Sequence, residues 1–119
     1  MKFSSQDCVR KECFGMEILE YCCNNENRTP LDCAVVKFRN NKYPCKINHG
    51  FYESFFILEG ECFVEFENET VQLSKHDFFV IEPERKHTTY AKFANIVVCC
   101  TPPFDIKKVT FCVLETCKT

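Results

Sequence analysis

Glycine is scarce in this chain, with three among 119 residues, and no Pro/Ser/Gly-rich linker, internal repeat or low-complexity tract interrupts it. Nothing marks a domain boundary, and the length suits one ordinary domain rather than two, so residues 1–119 are read as a single unit. A basic stripe is also missing: Lys and Arg number 15 against 17 Asp and Glu, the signs are interspersed, and the net charge is −2. Without a run of cations to neutralise phosphates or an anionic bilayer, nucleic acid and membrane surfaces are not expected partners. No stretch reaches the roughly 18 apolar residues of a membrane span. Met1 to Gln6 turns polar with no apolar export segment behind it, so the expected location is cytoplasmic.

The C-x-x-C spacing is absent as well, although the chain holds 11 cysteines. Without that spacing a zinc ribbon is not specified. An odd count with two vicinal pairs, Cys22-Cys23 and Cys99-Cys100, does not specify a disulfide ladder. With no export signal, reduced and mostly buried thiols acting as small apolar side chains are expected. Asn27-Arg28-Thr29 and Asn68-Glu69-Thr70 fit the glycosylation pattern, which has meaning only in a secreted chain.

What is present is material for an all-β core. Hydrophobic residues make up 45% of the chain and include 13 Phe, enough large units for an apolar interior. From about Asp32 onward, short runs rich in Val, Ile, Phe and Thr alternate with polar turn-forming clusters. The runs are Cys33 to Phe38, Glu53 to Leu58, Cys62 to Phe66, Thr70 to Leu73, Phe78 to Ile81, Asn95 to Cys100 and Lys108 to Glu115. Glu67-Asn68-Glu69 reads as a tight hairpin turn. Glu12 to Cys22 fits either a short helix or a strand, and the alternation of Phe14, Met16 and Ile18 leans toward a strand. Pro102-Pro103 ends the run before it, because proline has no amide proton for a ladder.

Three histidines are available for chemistry, and two stand near carboxylates. Glu53, Phe55 and Ile57 share one face of a strand by the period of two, so a core-facing Phe55 carries Glu53 inward with it. A buried carboxylate needs a partner. His49, with three residues between it and Glu53, and His87, after the Glu84-Arg85-Lys86 turn, are the nearest imidazoles in the pattern. Each also has an ordinary account: His49 as a loop residue, Glu53 as a strand-end charge, His87 as a turn cap. His76, beside Asp77 in a turn, reads as a surface residue. Cys45, Ile47 and His49 share parity, as do Thr89, Ala91 and His87. Cys45, Ile47, Phe55 and Thr89 are therefore candidate pocket-lining residues.

These residues carry a resemblance. The stretch His49 to Gly60 resembles the second half of the first cupin motif, G-x5-H-x-H-x(3,4)-E-x6-G, with His49 on its second His, Glu53 on its Glu and Gly60 on its closing Gly. Ile47 stands at the first His and Asn41 at the opening Gly. The stretch His76 to His87 is similar to the second cupin motif, with Pro83 displaced by one, His87 on the motif His and Ala91 at the final Asn. The resemblance covers about residues 33–115 and leaves 1–32 as an N-terminal extension. It implies a double-stranded β-helix, a jelly-roll barrel of antiparallel strands. It further implies a metal site of His49, Glu53 and His87 holding a divalent transition metal such as Fe, Mn, Ni, Cu or Zn, with open positions for water and substrate.

Two functions follow from the resemblance. One is a metal-dependent enzyme, such as a dioxygenase or isomerase, acting on a small polar metabolite. The other is a non-enzymatic module that binds a sugar or metabolite, in keeping with Ile47 in place of a ligand. The chain ends with its barrel and carries no DNA-binding helix pair, which argues against a self-contained transcription factor. Pairing into a homodimer is the expected assembly, since Phe-rich outer faces suit such an interface.

Overall fold

A computed structural model of the chain describes residues 2–21 and 30–113. Cys22, Cys23, Cys117 and the end of the Lys108 to Glu115 run lie outside them. The segment that fitted a helix or a strand is a hairpin: β1 (Val9–Cys13) and β2 (Met16–Tyr21) pair antiparallel. Its two turn residues, Phe14 and Gly15, both have positive φ, the backbone that joins right-twisted strands most tightly. β3 (Asp32–Asn48), β4 (Tyr52–Glu65) and β7 (His87–Thr101) are the long strands, with β5 (Thr70–Ser74), β6 (Phe78–Ile81) and β8 (Val109–Phe111) beside them. The hairpin turn after β4 is closed by the Phe66 amide donating to the Glu69 carbonyl at 2.8 Å. Among the described residues no helix is long and apolar enough to cross a membrane.

The long strands exceed the runs expected from composition, and the reason is pairing. Beyond the run that ends at Phe38, Asn41, Lys42 and Tyr43 still sit opposite Ala91, Tyr90 and Thr89 of β7. In the same way, Glu59-Gly60-Glu61 does not end a strand but lies within β4. The ladder order is β1-β2-β3-β7-β4-β5, with β6 added to β4 and β8 to β3. All pairs are antiparallel, and no ladder among the described residues joins β1 to β5, so the sheet curls around its core without closing.

Each long strand works on two sides of the curl. The first part of β4 pairs with β6 (Glu53↔Ile81) and the end of β7 (Glu53↔Cys100), whereas its second part pairs with β5 (Glu61↔Ser74) and the start of β7 (Glu65↔Thr88). Between them the register slips twice, at Ile57/Glu59 and Glu61/Phe63, and the buried positions change from Glu53, Phe55 and Ile57 to Cys62, Val64 and Phe66. That parity change keeps an apolar face inward on both arms of the bent strand. Met16, Ile57, Val64, Ile81 and Ile96 are fully enclosed in this core. Of the eight described cysteines, Cys45, Cys62 and Cys100 are buried and the other five are partly exposed, fewer in the core than expected.

Gly60 makes the bend. Its φ is +77°, and a Cβ there would lie 2.0 Å from the Phe93 carbonyl oxygen of the neighbouring strand. The nearest clashing atoms are Phe93 backbone, which cannot swing aside as the end of a side chain could. Gly60→Ala is expected to destabilise the chain by about 2–4 kcal/mol through left-handed strain and the clash. A lower urea midpoint with an unchanged slope reads this out; an unchanged midpoint refutes it.

Candidate functional site

Burying Glu53 decides what surrounds it. The side chain is 6% exposed, at the start of β4 and facing inward with Phe55 and Ile57. Lys46 meets it from β3, with Nζ 3.1 Å from Oε1 and 3.3 Å from Oε2, and is itself buried. Asn48 Nδ2 donates to Oε1 at 3.0 Å. His87, at the start of β7, brings Nε2 to 3.5 Å from the same oxygen, at the outer limit of a hydrogen bond. Burial alone would push the Glu53 carboxyl up, but the Lys46 ammonium, aided by His87 and Asn48, outweighs it and holds the group down at about 2.

Lys46 and Asn48 were not expected to face inward; Cys45 and Ile47 were. A bulge explains the exchange. Between Tyr43 and Lys46 the β3 strand advances three residues while β7 advances two, Thr89 to His87. Pro44 lies inside the irregularity, where its missing N–H costs no ladder bond. The extra residue turns Lys46 and Asn48 to the interior and moves Ile47 off the cavity. The signal available in sequence was Glu53 itself, since an inward carboxylate demands a cation nearby, and Lys46 stands seven residues before it in the chain.

His49 does not join Glu53 and His87. It follows the last residue of β3, on the face opposite Asn48, with its side chain 42% exposed. Nδ1 lies 2.6 Å from Glu84 Oε2 and Nε2 lies 2.8 Å from Thr110 Oγ1, a surface network completed by the Gly50 amide donating to Glu84 Oε1. His76 stays in the turn between β5 and β6 and stacks on Phe56.

The three-ligand metal set therefore does not fit this chain. Among the described residues no group of three or more His, Cys, Asp and Glu side chains is placed to hold a metal ion. The charge that a metal would supply to Glu53 comes from the Lys46 ammonium, which contacts both carboxylate oxygens.

The tautomer of His87 is set by its surroundings. Nδ1 lies 2.8 Å from the Arg85 carbonyl oxygen, which only accepts, so Nδ1 carries a proton and Nε2 is the nitrogen that gains or gives up a proton beside Glu53. Nε2 and the Asn48 Oδ1 acceptor are both shut away from solvent without a hydrogen-bond partner. Phe66 packs against the ring, and the Arg85 guanidinium lies 3.5 Å over Phe66. Glu53, His87 and Lys46 line a cavity of about 790 Å³, together with Phe55, Thr89 and Tyr43. Lys46 Nζ sits 4.9 Å from the Tyr43 ring and 5.7 Å from that of Phe104, so an aromatic wall flanks the charge. Asp32 anchors that wall, accepting from the Phe104 amide at 2.7 Å and the Cys100 amide at 3.1 Å. The mouth carries Lys11 paired with Glu20.

No protein-family model matches this sequence, and no curated protein matches it in a sequence search. Solved structures do match. Streptomyces PAC13 with uridine bound superposes with a TM-score of 0.82 at 14% identity, over 96% of this chain and 91% of that one. This chain has the cupin fold. Another structure of the same protein is described as a unique nucleoside dehydratase. KdgF from Halomonas sp. has a TM-score of 0.72 at 20% identity, covering 88% of this cupin and 96% of that chain. Ectoine synthase from P. lautus has a TM-score of 0.74 at 12% identity, covering 97% and 91%. Small-metabolite enzymes thus share this cupin architecture, at identities that speak for the fold alone.

Two outcomes test the ion pair. Because the Glu53 pKa is lowered from 4.5 to about 2 in the fold, its contribution is complete above the unfolded value and is lost as pH falls from 4.5 toward 2. A loss on the order of 3 kcal/mol over that interval is expected, and Glu53→Gln should flatten it. Acid titrations of the urea midpoint that run parallel for both proteins would refute the assignment. Lys46→Met leaves a buried carboxylate without its cation and is expected to cost about 3–5 kcal/mol, with part restored in Lys46→Met/Glu53→Gln. A single variant as stable as the parent at pH 7 would overturn the pairing.

Proposed function

We propose that this cupin binds a small hydroxyl-bearing metabolite in its cavity and moves a proton on it without a resident metal. The observation that carries the reading is the Nε2 atom of His87, buried without a close hydrogen-bond partner beside a charged carboxylate and an ammonium. In its neutral form His87 offers Nε2 as an acceptor on the cavity wall, which suits a ligand that supplies hydrogen-bond donors such as hydroxyl groups. His87 is the general base in this account. The imidazolium formed on taking a proton gains the Glu53 carboxylate as partner, and the Lys46 ammonium stabilises negative charge developing on the ligand. Elimination of water or isomerisation next to a hydroxyl carbon is the matching reaction class.

The size and walls of the cavity support the same reading. A volume of about 790 Å³ lies in the ordinary range for small-molecule sites. Tyr43, Phe55, Phe104, Pro102 and Pro103 give the ligand an apolar or planar surface to lie against, while Thr88 and Thr89 add hydroxyls. The likeness to a nucleoside dehydratase makes uridine the first ligand to try. Among the described residues no disulfide is formed, which suits a reducing, cytoplasmic setting.

Thermal-shift and calorimetric titrations with uridine and other polyhydroxyl metabolites, after exhaustive dialysis against a chelator, are the direct test. Binding is expected to survive the chelator, and His87→Gln is expected to lower turnover of the responsive compound by about 10²-fold or more. Near-stoichiometric metal that persists through dialysis and is lost in Glu53→Gln would overturn the metal-free reading. Binding unchanged in both His87→Gln and Lys46→Met would place the ligand elsewhere.

A further inference from the structure

Outside the cavity, β3 and β8 bring two thiols together. Cys45 and Cys112 lie with their sulfurs 3.3 Å apart. The backbone already fixes the pair, since Lys46 is opposite Phe111 and Asn48 opposite Val109, and the Cys112 amide donates to the Cys45 carbonyl at 3.0 Å. Cross-strand neighbours of this kind have Cβ atoms close enough for an S–S bond with little backbone movement. Cys45 is buried and Cys112 is partly exposed. Burial first, and the neighbouring Cys112 second, push the Cys45 thiol up to about 12, which makes Cys112 the sulfur that meets an oxidant first.

We propose that Cys45 and Cys112 form a reversible disulfide site that fastens β8, and with it the wall of the cavity, to β3. Cys112, as thiolate, attacks one sulfur of a small-molecule disulfide such as oxidised glutathione, and that S–S bond breaks with loss of one thiolate. Cys45 then gives its proton to solvent and attacks the Cys112 sulfur. The Cys45–Cys112 bond forms, a second thiolate leaves, and two protein thiols are oxidised as one small disulfide is reduced.

The consequence follows from the chain path. Residues 102–108 leave β7, wall the cavity through Pro102, Pro103, Phe104 and Lys108, and enter β8 directly. Their start is held by Asp32 on the Cys100 and Phe104 amides, and their end by β8 on β3 through three register pairs and the His49 amide donating to the Lys108 carbonyl at 2.8 Å. A covalent bond at Cys112 secures that short β8 ladder next to Lys46. The site stands whatever ligand the cavity takes.

The test is a titration with reduced and oxidised glutathione, followed by alkylation and peptide mapping under non-reducing conditions. Expected is a Cys45–Cys112 cross-linked peptide, loss of two hydrogens in intact mass, and a melting temperature several degrees above that of the reduced protein. Cys112→Ser is expected to abolish the cross-link and the melting shift while the reduced protein melts as the parent does. Cys45→Ala is expected to leave a persistent glutathione adduct at Cys112. A map in which Cys112 keeps its adduct in the parent protein, or pairs with a cysteine other than Cys45, overturns the proposal. So does a cross-link that forms without any change in melting, because β8 would then not be the element it secures.

Discussion

A carboxylate in the interior of a β-barrel must have a counter-charge, and Glu53 has one in Lys46. The cost of removing two charges from water is recovered only when geometry is good and the remaining lone pairs are bonded. Here both carboxylate oxygens meet the ammonium, Asn48 adds a donor to Oε1 and His87 stands at the edge of the same oxygen. The arrangement draws on β3, β4 and β7 at once, so it holds only while the bulge after Tyr43 and the inward parity of Glu53 are both in place. Site and fold are in this sense one construction. An ammonium fixed to the chain also differs from a bound metal in kind: it donates hydrogen bonds and is covalently held, so it is not lost by dissociation.

The all-β class, the inward placement of Glu53, the hairpin turn at Glu67 to Glu69 and the strand that begins with Glu53 were legible, because each rests on local alternation or turn chemistry. The site was half legible. Glu53 and His87 meet, as their strand positions suggested, but the parity argument that placed Cys45, Ile47 and His49 inward assumed an unbroken strand. One extra residue between Tyr43 and Lys46 reverses that parity, and nothing in the side-chain pattern counts it. His49 is left outside with Glu84 and Thr110. The polar stretch Asn41 to Tyr43, outside the runs read as strands, is also committed to β7. Long-range pairing, not propensity, decides such segments.

Likeness of fold with little likeness of sequence fits this picture. The curled antiparallel sheet provides an enclosed cavity whose lining comes from strands far apart in the chain, so its chemistry changes with a few inward residues while the scaffold persists. The inward residues here include one base without a partner, one paired acid and one ammonium.

β3 illustrates what such a scaffold demands of the growing chain. Its partner β7 lies far downstream, with Asp32 opposite Cys100. During synthesis β3 is complete long before the strand that will lie against it exists, and one of its edges stays open until then. Part of its other edge is covered early, because the β1–β2 hairpin precedes it and β2 pairs with Cys33 to Lys37. The N-terminal hairpin thus serves the nascent chain as a guard on one flank, shortening the strand edge that a neighbouring chain could capture before β7 arrives.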